Sequence, residues 1–152
     1  MEPLEDHPAL LPLCARWNFE AWGRAAGRSM ERTVDDFIGL LDPSGGQKVL
    51  VGFVSGLPVA LSLLIDNDLE SHLHLRPWLA SLYVEPKMRL MGVGKVMVAA
   101  TETAARRQGH DVLYLYTSET AYYRPLGWQT IEVLSGDNAG LSIMERRLTA
   151  SA

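Results

Sequence analysis

The stretch Val84-Glu85-Pro86-Lys87-Met88-Arg89-Leu90-Met91-Gly92-Val93-Gly94-Lys95 constrains this chain more than any other. A β-rich run from Leu79 to Val84 enters it. An amphipathic segment leaves it, with Val93, Val96, Met97, Ala100 and Ala104 at helical spacing and Gly109 in place to end the helix. A strand that feeds a glycine-bearing turn at a helix N-terminus makes a cradle for phosphate. The first N–H groups of a helix have no intrahelical acceptor, and the helix dipole favours an anion beside them. Arg89 adds a planar fork suited to phosphate oxygens. Gly92 and Gly94 together cost helix stability, which points to a close approach of backbone there.

Two familiar phosphate cradles do not fit. A P-loop requires Gly-x-x-x-x-Gly-Lys-Ser/Thr, but Gly94-Lys95 is followed by Val96 and position 89 is Arg. A dinucleotide fingerprint requires a third glycine where Met97 stands. What remains is Arg-x-x-Gly-x-Gly after a strand.

The rest of the chain bounds the answer. Its 152 residues fit one domain, taken as 1–152, with enough chain for a sizeable core. The most apolar stretch, Val49 to Ile65, is broken by Ser55-Gly56-Leu57-Pro58 and reads as two strands rather than a membrane span. The acidic start Met1-Glu2-Pro3-Leu4-Glu5-Asp6 lacks a signal peptide's basic and apolar regions, so a cytoplasmic location without membrane contact is expected. Cys14 is the only cysteine, which leaves no internal disulfide and no thiolate cluster, and its apolar neighbours mark it as an inert core residue. A net charge of −4 argues against nucleic acid as a partner. Locally the charge is uneven. Residues 86–110 carry Lys87, Arg89, Lys95, Arg106 and Arg107 against Glu102, while residues 66–85 carry Asp66, Asp68, Glu70 and Glu85 against Arg76. A basic segment beside an acidic one suits an anionic cofactor and a cationic acceptor. Ordinary solvated faces are the plainer alternative.

Along the chain, Leu10, Leu11, Cys14, Trp17 and Ala21 form a helical stripe that ends near Gly23. Thr33 offers an N-cap, with Asp35 and Asp36 in the first turn, for a helix through Leu41. Val49–Val54 and Val59–Ile65 read as a hairpin, and Leu79–Val84 as the strand into the cradle. Val112–Thr117 is a strand, Thr120–Leu126 a short helix closed by Gly127, and Trp128–Val133 and Leu141–Leu148 two final strands. No strand is discernible before Leu10.

The motif Arg89-x-x-Gly92-x-Gly94 resembles the pyrophosphate-binding motif of the GCN5-related N-acetyltransferase (GNAT) superfamily. The segment Ala121-Tyr122-Tyr123-Arg124-Pro125-Leu126-Gly127-Trp128 resembles that family's second recurrent motif, an aromatic-Tyr-x-x-x-Gly-aromatic segment. Together they span Leu79 to Val133, over a third of the chain, and their order matters more than either alone. The resemblance implies an α/β (α+β) fold: a mixed, mostly antiparallel central sheet of about six strands with helices on both faces. It also implies acetyl-CoA as cofactor, held at Leu82, Tyr83, Val84, Arg89, Leu90, Met91, Gly92, Val93, Gly94, Lys95, Thr117 and Tyr123, with the thioester along Leu82 to Val84.

Acyl transfer to an amine sets further requirements. The amine must lose a proton, the acyl oxygen needs a donor as it gains charge, and the departing sulfur gains from an acid. By resemblance the donor is a backbone N–H near Tyr83 or Val84, and Tyr123 is the acid; its plain alternative is a packing tyrosine. The base is sought among Asp66, Asp68, Glu70, His72, His74 and Glu85, with Glu70 or Asp68 favoured. His72 and His74 form a His-x-His pair without an evident third ligand, so no metal is expected. Trp22 and Trp78, with Trp17 and Phe19, stand open between walls of an acceptor pocket and core, and the acceptor contacts are assigned to Trp22, Trp78, Asp68 and Glu70. The acceptor is expected to be a small cationic primary amine that attacks directly in a ternary complex. A homodimer is the assembly expected. A silent CoA-binding regulatory or interaction module of the same fold is the alternative from a different class.

Overall fold

The computed structural model describes residues 1–148. Its sheet has seven strands, β1 (Glu2–Pro3), β2 (Lys48–Val54), β3 (Leu57–Ile65), β4 (Trp78–Val84), β5 (Val112–Thr117), β6 (Gln129–Val133) and β7 (Ser142–Arg147), in the order β1-β2-β3-β4-β5-β7-β6. Only the β4–β5 pair is parallel. The strand beyond the expected six or so is β1, whose two residues pair with Leu50 and Val51 and are too few to show a period-2 pattern.

The β2–β3 hairpin closes more tightly than the sequence suggests. Ser55 (φ 51°) and Gly56 (φ 80°) are both left-handed, the conformation of a two-residue turn that matches strand twist, so Leu57 and Pro58 already belong to β3. On one face of the sheet lie α1 (Leu11–Asn18) and α2 (Met30–Leu40). Cys14, Ala15, Trp17 and Phe37 pack there on Val49, Val51, Leu61, Leu63 and Ala80. The stripe beyond Asn18 is not regular α-helix: Phe19–Gly23 form a π turn, with the Arg24 amide bonded to the Phe19 carbonyl at 2.8 Å. The second helix is capped by Ser29 rather than Thr33. Ser29 Oγ accepts from the Arg32 amide at 3.0 Å, while Thr33 is buried and its hydroxyl donates back to the Ser29 carbonyl.

The opposite face carries α3 (Val93–Arg107) and α4 (Thr120–Tyr123), the latter continued by a 3₁₀ turn, Arg124–Leu126. Val98 and Ala105 of α3 pack with Tyr123 and Trp128 against Leu64, Leu79, Leu113 and Leu115. Gly127 ends that turn at φ 98°. Its carbonyl accepts from Arg146, whose guanidinium occupies the space a side chain would need.

Two irregularities set β4 apart from the other strands. It pairs with β5 at a single rung, Trp78 with Tyr114, and the strands then part. In addition, Ser81 adopts φ 52°, and Ser81 and Leu82 together oppose Ser62 of β3, a β-bulge in a central strand.

Candidate active site

The cradle forms where β4 hands over to α3. A 3₁₀ turn (Pro86–Met88) leads to Arg89, after which Leu90 (φ 66°) and Gly92 (φ 82°) both turn left-handed. The first α3 amide with a helical partner is Val96, which donates to the Gly92 carbonyl at 3.2 Å. The amides of Gly92, Val93, Gly94 and Lys95 therefore precede the helical ladder and form the usual unpaired cluster at the positive end of the dipole. Gly92 serves its positive φ; a Cβ there would meet open space. Gly94 serves a close approach, but the neighbour is a side chain of this protein: a Cβ at 94 would strike the Tyr122 hydroxyl. Arg89 is exposed, donates from Nε to the Val84 carbonyl at 2.8 Å and lies 5.7 Å from the centre of the Tyr83 ring. Its guanidinium is thereby held at the end of β4, three residues before the free amides begin. Leu90, Met91 and Lys95 are exposed on the cradle's rim, and Val93 packs beneath it with Val84.

The parting of β4 from β5 opens a gap in the sheet next to this cradle. Backbone N–H groups of a strand alternate between its two edges. The Glu85 amide donates to the Val59 carbonyl of β3 at 2.8 Å, so the Val84 amide one residue earlier faces the gap. Of the two amides considered, those of Tyr83 and Val84, it is the Val84 amide that faces the gap. Leu82 and Val84 project toward α3, and Tyr83 toward α1, where it stacks on Trp17 at 5.4 Å. Trp17 also donates to Glu85 at 2.5 Å, which commits Glu85 to a structural bond. Thr117 ends β5 on the other side of the gap, its hydroxyl accepting from the Glu119 amide at 2.9 Å.

The paired tyrosines divide. Tyr122 is 39% exposed, whereas Tyr123 is 8% exposed and packs edge-on against Tyr122 and Trp128. Burial, then the neighbouring Tyr122 and Glu119, pushes the Tyr123 phenol far above its ordinary value, so it stays protonated.

On the α1–α2 face, Asp68 lies in the loop between β3 and β4. Burial raises its carboxyl to about 7, and Arg28 opposes the shift. Tyr116 of β5 shares this environment: its phenol is raised by burial and by Asp68, and lowered by Arg28. Asp68, Tyr116 and Arg28 thus form one cluster. Tyr116 follows from the alternation of Tyr114 and Tyr116 with Leu113 and Leu115, which face the other side. Arg28, 40 residues before Asp68, left no local signal. Glu70 is exposed in a 3₁₀ turn (Glu70–His72). The acidic run is partly neutralised, because Asp66 pairs with Arg76 at 3.5 Å.

Three expectations are corrected or narrowed. Trp78 is 0% exposed, packs on Tyr114 and Tyr116, and donates to the Leu75 carbonyl at 2.8 Å, so it is core and not an acceptor wall. Trp22, in the π turn, is 39% exposed and remains available as a wall. His72 bonds Glu132 at 3.0 Å and Ser71 at 2.7 Å and stacks on His74, which ties the loop to β6 instead of leaving the pair free. Among the described residues no group of three or more His, Cys, Asp and Glu side chains is arranged to hold a metal.

A profile described as the acetyltransferase (GNAT) family matches residues 4–128. This chain belongs to that family. With membership comes the enzyme class, an N-acetyltransferase. Solved structures agree on the fold. An aminoglycoside 6′-N-acetyltransferase complexed with coenzyme A superposes with a TM-score of 0.76 at 14% identity, covering 95% of this chain and 94% of that one. The aminoglycoside 6′-N-acetyltransferase of Enterococcus faecium gives 0.74 at 15% identity, over 95% and 94%. A ribosomal-protein-alanine N-acetyltransferase of Brucella melitensis gives 0.68 at 19%, over 91% and 94%. No functionally curated protein matches the sequence. Among the described residues no helix of this GNAT protein is long and apolar enough to cross a membrane.

Proposed function

We propose that this protein transfers an acetyl group from acetyl-CoA to a primary amine of a small cationic molecule, by direct attack in a ternary complex. The observation that carries the reading is the adjacency of the free amide cluster at Gly92–Lys95 to the gap between β4 and β5. The first suits a pyrophosphate, and the second leaves room for an extended chain ending in a thioester. When bound, acetyl-CoA supplies an acyl group already activated as that thioester.

The residues then have separate tasks. Arg89 and the Gly92–Lys95 amides hold the pyrophosphate, with Lys95 adding charge at the rim. The Val84 amide donates to the acyl oxygen as it gains negative charge. Asp68 takes the proton from the acceptor ammonium, directly or through water. A carboxyl near 7 is suited to this at neutral pH, which favours Asp68 over the exposed Glu70. Glu70 and Trp22 line the approach of the acceptor. Tyr123, protonated in the resting protein, gives its proton to the sulfur as the C–S bond breaks and is reprotonated by the second proton that the attacking nitrogen sheds. A covalent acyl-enzyme has no support: Cys14 is fully buried on the sheet-facing side of α1 and its thiol is pushed up to about 12 by burial.

The test is a thermal-shift titration with CoA and acetyl-CoA, followed by free-thiol release across an amine panel. The panel runs from polyamines, amino sugars and aminoglycosides to anionic amines. Stabilisation by both cofactors with amine-dependent thiol release is expected, greatest for cationic acceptors. No stabilisation by either would overturn the reading. Stabilisation without thiol release from any acceptor would favour a silent CoA-binding module, and a preference for anionic amines would remove the acceptor class. Tyr123→Phe should bind CoA as before and turn over more slowly, by about 10²-fold; unchanged turnover across pH would end its acid role.

A further inference from the structure

Among the described residues three non-glycine residues have positive φ: Ser55, Ser81 and Leu90. Ser55 belongs to a hairpin turn and Leu90 to the cradle. Ser81 is different, because it stands inside a central strand, where a residue with a Cβ adopts this conformation only when its surroundings impose it. The consequence of the bulge is a change of phase. Leu79 and Leu82 both face α3, while Ala80 and Tyr83 both face α1, a spacing of three where a regular strand gives two. Side chains and edge amides alternate together. A regular β4 would turn the Val84 amide toward β3 and leave the gap without that donor. The left-handed Ser81 therefore decides which amide meets the acyl oxygen.

Something must hold Ser81 there, and α1 supplies it. Asn18 ends α1, is 6% exposed, and donates from Nδ2 to Ser81 Oγ at 2.8 Å. The preceding residue, Trp17, stacks on Tyr83 and donates to Glu85, so the last turn of α1 grips β4 on the far side of the bulge as well. We infer that Asn18 is a positioning residue: its amide holds Ser81 in the left-handed conformation that aims the Val84 N–H into the β4–β5 gap. This role rests on the proposed acetyl transfer.

The test is a double-mutant cycle read by kcat and KM separately. Asn18→Leu keeps the shape and removes the amide, and Ser81→Ala removes the same bond from the other side in case the first variant folds poorly. Each should keep stabilisation by CoA and a KM for acetyl-CoA within about twofold, because the pyrophosphate grip lies on α3. Each should lose kcat on the order of 10- to 100-fold, the scale of a misplaced or missing oxyanion donor. Ser81→Gly should stay within about threefold of the parent, since glycine turns left-handed without help. Adding Asn18→Leu to Ser81→Gly should then cost far less than Asn18→Leu alone. The same kcat loss in both backgrounds would overturn the inference. So would a fall in melting temperature with kcat unchanged, or a rise in KM with kcat unchanged. If wild-type protein is not stabilised by CoA, the proposed function fails first and this inference with it.

Discussion

The hydroxyl of Tyr122 occupies the space that a β carbon on Gly94 would need, so a side chain from α4 closes one flank of the amide cluster that opens α3. A methyl group at position 94 cannot coexist with that hydroxyl. Because Tyr122 is a partly exposed side chain, it can swing away. Gly94→Ala should therefore leave the fold intact, or stabilise it by up to about 1 kcal/mol through helix propensity. The displaced ring then crowds the cradle. CoA affinity should fall about tenfold, about 1.4 kcal/mol, by calorimetry. Trimming the obstacle with Tyr122→Ala in the same protein should recover most of the loss.

Arg89 does two things, and lysine can do neither fully. Its Nε is fixed on the Val84 carbonyl, and its guanidinium lies by the Tyr83 ring three residues before the amide cluster begins. Arg89→Ala should weaken CoA by about 10- to 100-fold. Arg89→Lys should recover only a minor part, because a point charge lacks both the planar fork and the Nε–H. Pantetheine, which has no pyrophosphate, should bind wild type and both variants alike. A comparable loss of pantetheine affinity would mean that Arg89 acts through β4 rather than through phosphate.

What the sequence made legible was local. The cradle could be read because glycine positions and a helical stripe report on the same dozen residues. The face of β5 could be read because Leu113 and Leu115 alternate with tyrosines. The features it hid depend on contacts far along the chain. A serine in a strand gives no sign of a bulge held by Asn18, 63 residues earlier. Two residues pairing with β2 carry no period. Ser29 and Thr33 are both capping residue types, and it is the bond from the Arg32 amide to Ser29 and the burial of Thr33 that decide between them. Asp68 resembled its acidic neighbours until the fold buried it near Arg28.

Trp78 shows how a side chain suited to a pocket can be core instead. It is fully enclosed by Tyr114, Tyr116 and the loop between β3 and β4, at the one rung that joins β4 to β5. Trp78→Phe leaves a void and frees the Leu75 carbonyl. It should cost about 1–3 kcal/mol in denaturant unfolding. If Trp78 is core, the KM for the acceptor should hardly move under conditions where the variant is folded. Trp22→Ala should behave in the opposite way, with unchanged stability and a raised acceptor KM.

Asp68 joins stability and activity with opposite signs. Its carboxyl ionises near 3.8 in the unfolded chain and near 7 in the folded protein. Between those values the folded state holds a proton that the unfolded state has released, so rising pH draws the equilibrium toward unfolding across that window. Above pH 7 both states are ionised and the penalty is fully present. Asp68→Asn removes it, and should raise the melting temperature by a few degrees at pH 8 with little change at pH 4. Acetyl transfer runs the other way. In wild type kcat should climb through a pKa near 7 as Asp68 becomes able to accept the ammonium proton. In Asp68→Asn that limb should vanish, with kcat lowered by about 10²-fold at pH 8 and CoA affinity unchanged. An unaltered limb in the variant would move the base to another group, with exposed Glu70 the next to replace.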